Sequence, residues 1–132
     1  MNNPSPYTAV TDDVSVSVVS QYLPNQSDAD KQQYVFSYTI SIENLRSTPV
    51  QLLSRRWLIT DANGERSEVE GEGVVGQQPT IAPGQTYTYT SGSVFNTPVG
   101  TMQGQYQMIA PNQQQFWIDI PVFRLALPNI LN

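Results

Sequence analysis

The chain has 132 residues, eleven acids against six bases for a net charge of −5, and neither cysteine nor histidine. A single lysine, Lys31, leaves no basic surface for neutralising phosphates, which argues against binding nucleic acid or docking on an anionic membrane. The missing cysteines and histidines remove thiol catalysis, thiolate metal sites, disulfides, and serine–histidine or zinc-protease chemistry in their usual forms.

Charged residues make up only 13% of the chain, about half the ~25% of an ordinary globular domain. Tyrosines and β-branched residues run throughout, a composition that suits antiparallel sheets faced with Thr, Ser and Gln. The length fits one domain, residues 1–132, with 1–11 loose because they are rich in Pro and Asn. No apolar run is long enough to span a bilayer and the N-terminus lacks a signal-peptide pattern, so the expected location is cytoplasmic.

Taken in order, Val14, Val16 and Val18 alternate with serines and predict a half-buried first strand. A polar loop follows over residues 23–30. Tyr34, Phe36, Tyr38, Ile40 and Ile42 then share one face of the strongest strand, with Ser37, Thr39 and Ser41 opposite. Residues 50–60 predict a third strand ending at Asp61-Ala62-Asn63-Gly64, a hairpin signal. A two-residue turn on Asn63 and Gly64 would place Glu68 and Glu70 on the face of Trp57, a costly burial of carboxylates. A three-residue loop with Gly64 in a left-handed bulge instead sets Trp57 opposite Val69 on the core side and Arg56 opposite Glu70. Pro83-Gly84 turns the chain into an alternating strand at residues 86–90, and Met102, Gly104, Tyr106 and Met108 line one side of the next. Residues 116–120 form the last strong strand, closed by Pro121, and an apolar tail at 123–128 packs as an edge extension. The pattern predicts an all-β, immunoglobulin- or fibronectin-III-like antiparallel sandwich of seven to nine strands.

Gly71, Gly73 and Gly76 spell a literal G-x-G-x-x-G. A dinucleotide fingerprint needs a helix to open from it, and Pro79, Pro83 and Gly84 forbid one. Glu68, Glu70 and Glu72 would also repel a pyrophosphate. The glycines therefore read as a bend at a strand end. The same three glutamates share a strand face and are the candidate ligands for a hard divalent cation, although neighbours about 6.5–7 Å apart need a bend before they chelate. Their plainer reading is a solvated face paired with Arg56 and Arg66. Arg55 and Arg56 are candidates for gripping a carboxylate or phosphate, and with Gly71, Gly73, Gly76 and Gln77 they make up the candidate recognition site. No catalytic set is present and no cofactor is expected.

Three segments, Leu52–Gly64 (LLSRRWLITDANG), Gly71–Pro79 (GEGVVGQQP) with Pro83-Gly84, and Tyr89–Gly92 (YTSG), together resemble the ApaG family. The likeness continues through Thr97-Pro98, Gly100–Met102, Gly104–Tyr106 and Phe116–Pro121. It implies a fibronectin-III-like sandwich, a small bacterial cytoplasmic protein, and no established enzymatic activity. The family name is tied to cobalt and magnesium efflux phenotypes, and a related eukaryotic domain in F-box proteins looks like a protein-interaction module. A histidine is usual in that family where this chain has Arg56, so any metal ligand it supplied is missing here. The expectation is a non-catalytic module binding an unknown protein partner, with an indirect link to cobalt and magnesium homeostasis. The alternative is a binder of a divalent cation or phosphate ligand. Exposed sandwich edges leave a homodimer open.

Overall fold

The computed structural model describes residues 7–128. Nine strands run in chain order: β1 (Tyr7–Thr11), β2 (Val14–Tyr22), β3 (Tyr34–Asn44), β4 (Val50–Asp61), β5 (Arg66–Glu72), β6 (Thr80–Ile81), β7 (Thr86–Phe95), β8 (Val99–Ile109) and β9 (Gln115–Ala126). They form two antiparallel sheets, β1-β2-β3-β7 and β5-β4-β8-β9, with β6 also pairing on β4. The sheets pack face to face as a sandwich.

The core follows from period-two alternation. Val14, Val16 and Val18 of β2 and Phe36, Tyr38, Ile40 and Ile42 of β3 are buried from one sheet. Leu52, Trp57, Met102, Tyr106, Met108, Ile118, Phe123 and Leu125 meet them from the other. Tyr38, Trp57 and Phe123 form an aromatic triad with ring centroids 5.5–5.9 Å apart in tilted or edge-on geometry. Such pairs prefer this arrangement because ring edges are positive and faces negative.

The 61–65 connection takes the three-residue form. Gly64 sits at φ +81°, its N–H donates to the Asp61 carbonyl at 3.1 Å, and Asp61 N–H donates to the Glu65 carbonyl at 3.0 Å. Trp57 faces Val69 and Arg56 faces Glu70, as the charge argument requires. Val69, however, is 41% exposed: β5 is an edge strand that overhangs the core.

Three further expectations are corrected. Of residues 1–11, read as loose, 1–6 lie outside the described residues, whereas 7–11 form β1, because the whole segment from Tyr7 to Thr11 pairs with β2. Their composition hid this, since an edge strand draws its stability from its neighbours. Pro121 does not close the last strand. It lies within β9 where the register on β8 shifts between Met102 and Gly104, and a bulge tolerates a proline that donates no ladder bond. Residues 123–126, read as an edge extension, do lie at a sheet edge, but as part of β9 itself, paired in register with β8.

β4 also holds an irregularity with consequences. Its register on β8 shifts between Leu52 and Ser54, so Leu53 is bulged. Val50 and Leu52 face the core before the bulge, whereas Arg55 and Trp57 share a face after it. The extra residue turns Arg55 toward the inner side of the sandwich.

Candidate recognition site at the glycine loop

The bulged Leu53 is where the glycine loop is fastened. Its carbonyl accepts from Gly73 N–H at 2.9 Å and from the Gln78 side-chain amide at 2.9 Å. Beyond Gly73 the chain makes a tight two-residue turn. Val74 N–H donates to the Gln77 carbonyl at 2.8 Å and Gln77 N–H to the Val74 carbonyl at 2.9 Å. Val75 (φ +47°) and Gly76 (φ +76°) at its tip are both left-handed, as a mirror-image turn requires.

Each glycine of the motif has a different reason to be there. A Cβ on Gly73 would lie 2.3 Å from the Gln77 carbonyl oxygen, and one on Gly71 would lie 2.9 Å from both terminal guanidinium nitrogens of Arg55. Gly76 supplies the second positive φ. The amides of Gly73, Val74 and Gln77 are bonded within the protein, and β6 follows the loop in place of a helix. The motif is a strand-end turn. It lacks the amide cradle and helix start that phosphate binding would use.

Arg55 lies across Gly71, donating from Nη1 to the carbonyls of Glu72 at 3.1 Å and Gly73 at 2.8 Å. Beside it opens a cleft of about 340 Å³ lined by Tyr38, Trp57, Val74, Tyr89 and Ser91, with Glu72, Val75 and Gly76 at the rim. Val74 is 1% exposed and plugs the core, whereas Val75 next to it is 63% exposed. A β-branched residue in the left-handed region costs about 1–2 kcal/mol. Here that cost holds an apolar side chain out in solvent.

Below the cleft the hydroxyls of Tyr89 and Tyr106 hydrogen-bond to each other in the buried interior. Burial raises both phenols well above 10, because the phenolate has no water to solvate it. A folded-state value above the unfolded one contributes stability that is complete below pH 10 and lost as pH rises toward the folded value. Absorbance titration at 295 nm should therefore show Tyr89 and Tyr106 ionising only as the fold gives way, and Tyr106→Phe should flatten the alkaline decline in stability. At neutral pH, Tyr106→Phe alone should cost about 1–3 kcal/mol by stranding the Tyr89 hydroxyl, and adding Tyr89→Phe should cost little more. Strict additivity in that cycle would contradict the pairing.

The other candidates fall elsewhere. Arg56 leaves the opposite face of β4, its guanidinium 4.6 Å from the Trp117 ring centroid and 3.5 Å from Gln105 Oε1. Arg55 and Arg56 therefore cannot grip one anion together. Glu68, Glu70 and Glu72 stay exposed along a regular β5, and among the described residues no three acidic side chains gather closely enough to hold a metal ion. Gln77 contributes its backbone to the turn. At strand period Tyr38, Tyr87, Tyr89 and Tyr106 read either as an aromatic recognition surface or as core. The structure buries Tyr38, Tyr89 and Tyr106 while Tyr38 and Tyr89 also line the cleft; the sequence does not single out Val75. The one available signal for the last was a valine standing in the second of two glycine-flanked positions.

The model of the ApaG domain matches residues 24–110, a span that holds Arg55, the glycine loop, β7 and Tyr106. The chain belongs to the ApaG family. It is 57% identical over 119 residues to the Escherichia coli protein ApaG, covering 90% of this chain and 95% of that one. Among solved structures, a Bordetella pertussis chain described as an ApaA protein superposes with a TM-score of 0.87 at 47% identity, covering 96% of this chain and all of the other. The C-terminal domain of wzt superposes at 0.56 with 9% identity over 98% of this chain and 81% of its own, a likeness of fold alone.

Proposed function

We propose that this ApaG-family chain is a non-catalytic binding module that takes a protein partner at the glycine-loop tip and the Arg55 cleft. The observation that carries the reading is Val75, held exposed at a left-handed φ beside a guanidinium and an aromatic cleft. Backbone strain of this kind persists where the surrounding structure over-determines it, and it clusters at binding sites. An apolar side chain on the partner would pack on Val75 and Tyr89, and a carbonyl or carboxylate would meet Arg55. Burial pushes the Tyr89 phenol upward, away from the range in which it would transfer a proton near neutral pH. The indirect link to cobalt and magnesium homeostasis, in the cytoplasm, would then run through the partner.

Native co-purification of wild type, Val75→Asp and Trp117→Ser from the source cell tests the reading. Asp tolerates the left-handed region, so Val75→Asp removes the apolar tip without unfolding the turn. A partner enriched with wild type and with Trp117→Ser on the opposite face, but lost with Val75→Asp, is the expected result. Enrichment that ignores Val75→Asp, or a saturable calorimetric response to Mg²⁺, Co²⁺ or pyrophosphate at millimolar concentration, would overturn it.

A further inference from the structure

The sheet edges of this sandwich are not protected alike. β5 carries Arg66, Glu68, Glu70 and Glu72, and β6 has two residues. β1 is five residues long, and β9 is bulged at Pro121 with the N–H of Asp119 donating to Thr11 Oγ1 at 3.1 Å. These are the ordinary devices that blunt an edge: charge, brevity, bulges and cover. β7 has none of them. Its ten residues, TYTYTSGSVF, contain no charged side chain and no proline, and among the described residues β3 is its one strand partner.

Alternation along β7 fixes which of its backbone groups stay open. Asn44 N–H donates to the Gln85 carbonyl at 3.0 Å, and alternation from that bond directs the backbones of Tyr87, Tyr89, Ser91 and Ser93 to β3. The N–H and C=O groups of Thr86, Thr88, Thr90, Gly92 and Val94 are left facing the open side.

We propose that this edge pairs with the β7 edge of a second copy of the chain, antiparallel about a two-fold axis near Thr90–Gly92. Charge selects this occupant. In a chain of net charge −5, β5 edges brought together would set glutamates rung against rung, whereas β7 meets β7 with no like-charge contact. The outer face is complementary to itself: Thr90 already bonds Thr39 at 2.9 Å and Thr88 bonds Ser41 at 3.2 Å, a hydroxyl ladder that a second β7 continues. Val94, 66% exposed on that face, gains cover in the pair. Two-fold pairing also places both Arg55 clefts beside the axis, since Tyr89 and Ser91 of β7 line them. This assignment stands independently of the partner reading above.

Sedimentation of the full chain across a concentration series tests the proposal, with circular dichroism confirming that each variant is folded. Wild type should show a reversible monomer–dimer equilibrium. Val94→Lys, which puts a charge on the outer face, and Thr90→Pro, which removes an outward N–H, should each weaken it by about tenfold or more. Glu70→Lys on the β5 edge should leave it unchanged. A wild type that stays monomeric to high micromolar concentration overturns the proposal. So does a dimer indifferent to both β7 variants, or one that Glu70→Lys dissolves as readily.

Discussion

Gly104→Ala should destabilise the protein by about 3 kcal/mol, at the upper end of what overpacking costs. Gly104 of β8 lies opposite Trp57 of β4, and a Cβ there would stand 2.0 Å from the Arg56 carbonyl oxygen and 3.2 Å from the Trp57 Cα. Both obstacles are backbone atoms of a strand held by neighbours on its two sides, so neither can swing away as a side chain would. The register on β9 already shifts at this point, and the close approach of β8 to β4 needs a residue without a side chain. Gly76→Ala makes the contrast. Its added Cβ meets nothing within 4 Å, and the left-handed φ alone should cost about 1–2 kcal/mol. Urea midpoints of the two variants, at unchanged slope, measure the difference. Equal losses would mean that β4 and β8 are not so tightly apposed.

Asn44→Ala should cost a similar amount, about 3 kcal/mol, for a different reason. Asn44 is fully buried, and its side chain closes the 44–49 turn onto β6. Nδ2 donates to the carbonyls of Thr48 and Ile81, each at 2.9 Å, while Oδ1 accepts from Arg46 N–H at 2.9 Å. Removing the amide abandons three backbone partners, at roughly 1 kcal/mol or more for each. Asn44→Asp should be worse at neutral pH than at acid pH, since an ionised carboxylate would face two carbonyl oxygens and a protonated one can donate to one of them. Thermal denaturation at both pH values checks the sign. An Asp variant more stable at neutral pH would contradict the bonding pattern.

Much of the frame could be read from side-chain periodicity. β3 buries every second residue from Phe36 to Asn44, and no helical reading accommodates that. The β4–β5 register followed from one charge argument, because a slip by one residue would have turned Glu68 and Glu70 onto the face of Trp57. What stayed hidden depends on tertiary packing. Leu52 and Leu53 are both apolar, so nothing in the local pattern marks Leu53 as the bulged residue that brings Arg55 onto the face buried by Val50 and Leu52. Arg55 and Arg56 leave opposite faces, as neighbours on a strand do. Val69 alternates like a core residue and is exposed because β5 lies at an edge. Asn44 reads as an ordinary turn residue, and its buried bonds reach Ile81, far along the chain. The glycine motif was legible as a bend. That Val74 would be buried beneath it, with Val75 held out above, was not.

The recognition surface can be tested most directly by hydrogen exchange of the protein alone and with its co-purified partner. Protection gained at residues 72–77 and around Ser91, with the Arg56 and Trp117 face unchanged, is the predicted result. Protection on the Arg56–Trp117 face, with exchange across 72–77 unaltered, would contradict the assignment of the glycine loop and the Arg55 cleft as the binding site.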